Sequence, residues 1–226
     1  MESLDAMMEQ ARAYFEEKNS AREQALARSR ELIRNCALAI RAVHRAEYDE
    51  AAGLLASARR AAQRLVDDLE DHQDLYHAGY TQDALKELVE ASITYALITG
   101  QPLPTLAELD VLPPTYLNGI AEAMGEMRRH ILDVLRHGEV GSCEQMLQVM
   151  QDVYSILVTV DYPDALTGGL RRTTDMVRGV LERTRGDLTV AARQEAMQRA
   201  LREFEQRVMP GDQSPGRETD TGTDNE

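Results

Sequence analysis

The fold class of this chain can be read from residues 21–45, AREQALARSRELIRNCALAIRAVHR. Apolar side chains recur there at the three- and four-residue intervals that place them on one face of an α-helix. They are Leu26, Ile33, Leu38, Ile40 and Val43. No glycine or proline interrupts the pattern. The stretch therefore predicts one long helix, and because Asn19 and Ser20 are only a weak break, we expect it to extend back toward Leu4.

Further helices are predicted between the glycines and prolines that follow. They cover residues 48–72, 82–99, 115–137, 142–160 and 170–208, the last as one helix or a pair. The third helix ends at Gly100, and Thr115 is expected to cap the start of the fourth, on which Gly119 and Gly125 would let a neighbouring helix come close. Since strand signals are almost absent, the sequence predicts an all-α fold, a bundle of six to seven long helices packed antiparallel.

One domain accounts for the helical part of the chain. At 226 residues, with 43% hydrophobic residues, 4% aromatics and no tryptophan, the composition is that of a helical domain with a substantial core. We assign this domain to residues 1–208. Residues 210–226 contain five acids against one arginine and, apart from proline, no apolar side chain. A disordered acidic tail is therefore predicted over residues 209–226.

The sequence argues against export and membrane insertion. The uncharged stretch over residues 91–106 contains a glycine and two prolines and is too short to span a bilayer. The N-terminus lacks a basic segment followed by an apolar one. Cys36 and Cys143 cannot form a disulfide framework and fit a reducing compartment, where we expect both to be small buried side chains. A cytoplasmic protein without a membrane partner is predicted.

The charge balance is strongly acidic, with 39 acidic residues against 25 basic ones. Lys18 and Lys86 are the only lysines. An acidic, lysine-poor surface keeps a protein hydrated in concentrated salt, so we predict a halophilic source. Net charge alone argues against a nucleic-acid partner, but at high ionic strength a local group of arginines matters more than the total charge.

Two pairs of glutamates stand on predicted helices at spacings that place each pair on one helix face. Glu87 and Glu90 are three residues apart, and Glu122 and Glu126 are four apart on the following helix. Hard divalent cations such as Mg²⁺ and Mn²⁺ prefer several carboxylate oxygens and assist phosphodiester hydrolysis. The pairs thus favour a metal site between two helices, while in so acidic a chain they also fit ordinary solvated faces.

Positive charge is concentrated on the first two predicted helices, where nine arginines stand against five acids over residues 21–64. A planar guanidinium group suits phosphate. We therefore expect Arg30, Arg41 and Arg45, together with His44, to hold a nucleic-acid backbone. Because aromatic side chains are few, phosphate contact is favoured over base stacking. The alternative is a set of helix faces laced with ordinary ion pairs.

Several segments together resemble the translin superfamily, in that family's order. They are SRE (29–31), IRAVHR (40–45), LKELVEA (85–91), YLNGIAE (116–122), GEMRR (125–129) and LRRTTD (170–175), followed by Arg178. The resemblance runs from about residue 28 to residue 188. It implies a helical protomer that assembles into a closed, hollow, octamer-like shell, with single-stranded RNA or DNA bound inside.

The resemblance also implies a catalytic branch of the family, in which acidic residues on the two middle helices form a metal-dependent endoribonuclease site. The chain matches this branch at Glu87, Glu90 and Glu126. Position 122 holds Glu where the branch usually has Asp, so this ligand is one methylene longer. Thr173 stands where the family tends to have a basic residue.

The sequence therefore predicts an endoribonuclease that acts on single-stranded RNA and forms a homo-oligomer. In this hypothesis Mg²⁺ or Mn²⁺ is held by four carboxylates, those of Glu87, Glu90, Glu122 and Glu126. The phosphate backbone is held by five basic side chains, those of Arg30, Arg41, His44, Arg45 and Arg129. Two alternatives stay open. One is a non-catalytic translin-like protein that binds single-stranded RNA or DNA or acts as a scaffold, and the other is a helical interaction protein whose carboxylates are only solvated or paired.

Overall fold

A computed structural model describes residues 2–208 of the chain, and the tail predicted over residues 209–226 lies outside the described residues. All regular structure in the described range is helical, which confirms the all-α prediction. The helices are α1 (Glu2–His44), α2 (Tyr48–Asp67), α3 (Gln73–Tyr76), α4 (Gly79–Thr99), α5 (Leu106–Leu109), α6 (Pro113–Arg136), α7 (Val140–Leu157), α8 (Asp164–Thr167) and α9 (Leu170–Val208). Within residues 2–208, six of these helices are long and three have four residues each.

Most predicted boundaries lie within three residues of those in the structure, and the end of α2 differs by five. Helix α1 runs unbroken through Asn19 and Ser20, and α2 ends at Asp67 rather than at residue 72. The prediction of Thr115 as an N-cap is wrong, because α6 begins two residues earlier at Pro113. Proline suits the first turn of a helix, where its missing N–H is not needed. The Thr115 hydroxyl instead donates a hydrogen bond to Gln82 Oε1, 2.6 Å away.

The long helices form two groups of three that meet through α4 and α6. Helices α1, α2 and α4 pack against one another, and so do α6, α7 and α9. The core is continuous between the groups and includes the fully buried Leu85, Leu88, Met124 and Ile131. This arrangement buries α4 and α6, the two helices that carry the predicted carboxylates, along most of their length.

Helix direction depends on how the helices are connected. Antiparallel packing, as predicted, holds for α1 with α2 and for α6 with α7, which are joined by short turns. Helices α4 and α6 are joined by a long connection and run parallel, since Gln82 contacts Thr115 and Lys86 contacts Glu122 further along both helices. As a result, α4 and α6 begin at the same end of the bundle.

A glycine allows α4 and α6 to approach closely. A Cβ atom added at Gly119 would lie 2.5 Å from Val89 Cβ and 2.9 Å from the carbonyl oxygen of Lys86, so a side chain there would force the two helices to shift. The prediction for Gly119 is therefore confirmed. A Cβ at Gly125 would meet nothing within 4 Å, so the same prediction for Gly125 is wrong. The close contact at Gly119 brings the acidic faces of the two helices together.

The cysteine and membrane predictions can be checked over residues 2–208. Cys36 and Cys143 are both buried free thiols, as expected for small apolar residues. Burial raises the pKa of each thiol, which keeps it protonated and unreactive. Among the described helices, none is both long enough and apolar enough to cross a bilayer.

Candidate metal centre and nucleic-acid surface

Three of the four predicted carboxylates converge between α4 and α6. Glu87 and Glu90 project from α4, Glu122 projects from α6, and one carboxylate oxygen from each lies within 4.8 Å of the other two. All three side chains are partly buried. We call these residues the carboxylate triad. Oxygen atoms on opposite sides of an octahedral Mg²⁺ are about 4.2 Å apart, since each bond is about 2.1 Å, so small side-chain adjustments would let the triad hold such an ion.

The triad is electrostatically unfavourable in the absence of a cation. Burial, followed by the nearby charges of Glu87, Glu122 and Glu126, raises the pKa of Glu90 from 4.5 to about 8. Burial and the charge of Glu122 also raise the pKa of Glu87. A pKa raised in this way means that the ionised form is poorly solvated and repelled by its neighbours. A bound divalent cation would remove both penalties.

One lysine partly balances the triad. Lys86 Nζ lies 2.9 Å from Glu122 Oε1 and 3.7 Å from Asp83 Oδ1. Burial tends to lower the pKa of Lys86, but the hydrogen bond and charge of Glu122 outweigh it and the pKa is raised. Lys86 therefore carries a positive charge at the edge of the triad, and a single positive charge compensates at most one of the three carboxylates.

Glu126 lies beside the triad rather than within it. Its Oε2 atom is 2.5 Å from His44 Nε2 and 3.7 Å from Arg129 Nη1. The hydrogen bond from His44 lowers the pKa of Glu126, while its charge still contributes to the raised pKa of Glu90. Glu126 is thus an ionised neighbour of the triad, oriented by two basic side chains.

The structure places the side chain of His44 beside Glu126. Its side chain is only 4% exposed and is directed at Glu126, so it does not present a nitrogen to a phosphate on the surface. Its Nδ1 atom is also buried and has no hydrogen-bond partner among residues 2–208. The ring of His130 lies 6.5 Å away between centroids, and burial followed by the charge of His44 lowers the pKa of His130. His44 therefore acts on Glu126 and the acidic centre.

The four predicted arginines occupy different environments. Arg30 and Arg41 are exposed on α1 and form no ion pair within the described part of the chain. Arg129 is exposed and reaches Glu126, while Arg45 is paired with Glu47 and with Glu50. Arg30, Arg41 and Arg129 can thus reach an incoming phosphate, whereas Arg45 would first have to leave its carboxylate partners.

Several other arginines of α1 and α2 fit the alternative of ion-paired helix faces. Arg28 pairs with Asp68 at 3.2 Å, and Arg64 pairs with Glu31 at 2.9 Å. The second pair joins α1 to α2, the first joins α1 to the residue that follows α2, and both are partly exposed. Exposed pairs of this kind contribute little to stability, and they leave fewer guanidinium groups for phosphate than the sequence count suggested.

The comparisons with known proteins agree with this fold. The chain is 32% identical over 177 residues to the uncharacterized protein MJ0175 of Methanocaldococcus jannaschii, and the match covers 77% of this chain and 78% of the relative. A crystal structure of AfC3PO, a protein of the translin family, matches with a TM-score of 0.76 at 34% identity, covering 82% of this chain and 97% of AfC3PO. The chain belongs to the translin superfamily. No family model matches the sequence.

Two further structures extend the comparison within the translin superfamily. The complex of AfC3PO with duplex RNA matches with a TM-score of 0.72 at 34% identity, over 82% of this chain and 96% of AfC3PO. The structure of apo-NeC3PO matches with a TM-score of 0.75 over 81% of this chain and 96% of NeC3PO. At 20% identity, the NeC3PO match shows a shared translin-like fold.

Three features of the site and its surroundings are not predicted from the sequence. Lys86 is one such feature, although a lysine next to an acidic pair, in a chain that otherwise uses arginine almost throughout, is a usable signal. The contact between His44 and Glu126 joins residues 82 positions apart and has no local signature. Asn118 is the third residue of the YLNGIAE segment and proves to be a structural link, since it hydrogen-bonds Thr167 and Thr173.

Proposed function

We propose that this translin-superfamily protein is a metal-dependent endoribonuclease whose metal is held by Glu87, Glu90 and Glu122. The observation that carries the proposal is the convergence of three partly buried carboxylates within 4.8 Å. All-oxygen donor sets of this kind suit Mg²⁺ or Mn²⁺ better than softer metals. The presence of duplex RNA in the AfC3PO complex supports RNA as the substrate class, and single-stranded RNA is the form we propose to be cut.

The side chains of the site would divide the work. When bound, the metal would supply an activated water and neutralise charge on the phosphate. The triad would hold it, and Glu90 would have to release its proton first, because its pKa of about 8 leaves it largely protonated at neutral pH. Glu126, kept ionised by His44, would add negative charge beside the metal and could orient a water. The exposed guanidinium of Arg129 would contact the phosphate backbone, together with Arg30 and Arg41.

The proposal is tested by RNA cleavage with and without metal. Labelled single-stranded and duplex RNA are incubated with the protein in Mg²⁺, in Mn²⁺ and in EDTA, at high salt because of the predicted halophily. The double variant Glu87→Gln plus Glu90→Gln should lose metal-dependent cleavage. The matched control is Glu144→Gln plus Glu182→Gln, which removes the same charge from exposed positions. Equal cleavage by both double variants would overturn the proposal.

A second candidate is a translin-like protein that binds RNA or DNA without cutting it. Glu122 favours this alternative, because it is a Glu at a position where the catalytic branch usually has Asp, and because its carboxylate is already paired with Lys86 at 2.9 Å. Retention of labelled RNA without cleavage in any metal would support this function. Neither retention nor cleavage would leave a helical interaction protein.

We also propose that the protein forms a homo-oligomer, with the octamer-like shell of the resemblance as the expected form. The support is a set of exposed large apolar side chains at the two ends of the described chain. They are Leu4, Met7, Met8, Tyr14 and Phe15 on α1, and Val190, Met197, Leu201, Phe204 and Val208 on α9. Those on α9 follow a heptad spacing typical of helix pairing. Light scattering should show an assembly that Leu201→Glu plus Phe204→Glu breaks into smaller species.

A further inference from the structure

A cavity of about 570 Å³ opens directly beside the carboxylate triad. Its wall is formed by the first turns of α4, α6 and α9, by α8 and by the turn between α8 and α9. Lys86 and Glu122 belong to this wall, so the cavity and the triad share a border. We call this cavity the N-terminal groove, because three long helices begin at it. Its volume lies within the range of about 300–1,000 Å³ that is usual for pockets that bind small molecules or single nucleotides.

The groove is a consequence of helix direction. Helices α4 and α6 run parallel, and α9 runs parallel to α6, since Asn118 contacts Thr173 and Arg128 contacts Thr184 further along both helices. The three helices therefore start at one end of the bundle and leave a space between their first turns. Free N–H groups at the starts of α4 and α9 add a weak preference for anions in that space. Helix α6 adds less, because it begins with Pro113 and Pro114, which have no N–H.

One wall of the groove is held rigidly by Asn118. Its Nδ2 atom donates to the carbonyl oxygens of Pro114 and Thr167, each at 2.9 Å, and its Oδ1 atom accepts a hydrogen bond from Thr173 at 2.7 Å. These bonds fix the turn before α9, in which Gly168 and Gly169 have positive φ angles of 61° and 81°. The groove is thus formed before any ligand arrives, which lowers the entropy cost of binding.

Two basic side chains give the groove its chemistry. Lys86 lies on α4 at the border with the triad, and Arg172 lies on α9. Arg172 is exposed and forms no ion pair within residues 2–208, whereas its neighbour Arg171 pairs with Asp161 at 3.1 Å. Asp83 and Asp164 also line the groove, so its charge is mixed. A divalent cation bound to Glu122 would release Lys86 from its ion pair with that carboxylate and make the net charge of the groove more positive.

We propose that the N-terminal groove holds the nucleotide next to the cleaved phosphate of an RNA strand, with Lys86 and Arg172 contacting its phosphates. This inference rests on the proposed function, since it takes the triad as the metal centre. The ammonium group on α4 and the guanidinium group on α9 would hold the two phosphates that flank one sugar, which positions the strand without reading its bases. The groove would thereby orient the RNA strand so that the next phosphate lies at the carboxylate triad.

The test compares two adjacent arginines. Binding of a 5′-fluorescein-labelled single-stranded RNA is measured by fluorescence anisotropy in Ca²⁺ and in EDTA, over the salt range in which circular dichroism shows the protein folded. Recovered RNA is checked on a denaturing gel, so that only intact strands are scored. Arg172→Gln should weaken binding in Ca²⁺ roughly 3- to 10-fold and reduce the salt dependence by about one ion, as expected for one lost phosphate contact. Arg171→Gln removes the same charge one residue away and should change binding less than about twofold.

A second pair of variants tests the cavity itself. Leu166 lines the groove and is 65% exposed, so Leu166→Trp should obstruct the cavity without disturbing the core. Ile156 is 62% exposed and does not line the groove, so Ile156→Trp is the matched control. We expect Leu166→Trp to weaken RNA binding and Ile156→Trp to leave it unchanged.

The outcomes separate this inference from the proposed function. If Arg172→Gln and Leu166→Trp weaken binding while no metal supports cleavage, the groove binds RNA and the nuclease proposal fails. If both variants bind RNA as the parent protein does while metal-dependent cleavage persists, the groove inference is overturned and the nuclease proposal stands.

Discussion

Replacing Glu90 with Gln should make the metal-free protein more stable at alkaline pH and remove most of its stabilisation by metal. Glutamine has nearly the same size and shape as glutamate but cannot ionise. The substitution therefore removes the charge that the folded protein tolerates least, since burial and three neighbouring carboxylates raise the pKa of Glu90 to about 8. Packing around the side chain is kept.

The expected size follows from the pKa. A rise from 4.5 to about 8 corresponds to at most about 5 kcal/mol, at about 1.4 kcal/mol for each tenfold change in proton affinity. Because the folded protein binds this proton more tightly than the unfolded chain does, the penalty is absent below pH 4.5, grows as the pH rises toward 8 and is complete above it. Rearrangement and shared titration within the triad reduce it, and we expect about 1–3 kcal/mol.

Thermal unfolding from pH 5 to pH 9, in EDTA and in Mn²⁺, measures both effects. For a chain of this length, 1 kcal/mol shifts the unfolding temperature by about 2–4 °C, so Glu90→Gln should unfold roughly 3–10 °C above the parent at pH 9 in EDTA. At pH 5 the unfolding temperatures of Glu90→Gln and the parent should agree closely. In Mn²⁺ the parent should gain stability and the variant should gain much less.

The exposed Glu144→Gln serves as the control and should behave as the parent under every condition. Two results would refute the reasoning. The first is equal unfolding temperatures of Glu90→Gln and the parent at pH 9 in EDTA, and the second is an undiminished Mn²⁺ effect in the variant.

Three further predictions concern the surroundings of the triad. Gly119→Ala should destabilise the protein by about 1–3 kcal/mol in urea unfolding, because its Cβ would overlap α4, whereas Gly125→Ala, in open space within the same helix, should be neutral or stabilising by about 0.5–1 kcal/mol. His44→Ala should raise the pKa of Glu126, which carboxyl NMR titration measures, because the hydrogen bond from His44 is lost. The same variant should weaken Mn²⁺ binding roughly 10-fold in calorimetry. An unchanged pKa of Glu126 would contradict the orienting role of His44. Asn118→Ala should cost about 1–3 kcal/mol in the same urea assay through its lost hydrogen bonds, and an unchanged midpoint would show that the turn before α9 is held otherwise.

The helices were predictable because the information that determines them is local. The apolar spacing of residues 21–45 and the absence of a breaker predict α1, and Gly100, in a left-handed conformation, ends α4 where expected. The error at Thr115 has a local cause as well. A threonine is a favourable N-cap in general. Pro113 and Pro114, however, suit the first turn of a helix because they have no N–H that needs a partner, so the helix starts two residues earlier.

Helix direction and the partners of the acidic residues were less predictable because they depend on tertiary contacts. The i,i+3 spacing of Glu87 and Glu90 shows that they share a face, yet only the parallel packing of α4 on α6 brings Glu122 to them. Nothing near Glu126 in the sequence indicates that His44, at the end of α1, takes up its carboxylate. The sequence thus predicted the types of residue in the site better than the arrangement that joins them.

The carboxylate triad is difficult to explain as part of a surface adapted to salt. An acidic surface stabilises a protein by keeping its carboxylates hydrated, which requires them to be exposed and apart. Glu87, Glu90 and Glu122 are instead partly buried and close together, with Lys86 in direct contact with only one of them. Uncharged side chains at these positions would avoid the cost that the raised pKa of Glu90 reveals. Unfavourable local electrostatics of this kind occur mainly at functional sites. The charge of a bound divalent cation would offset the repulsion among the three carboxylates.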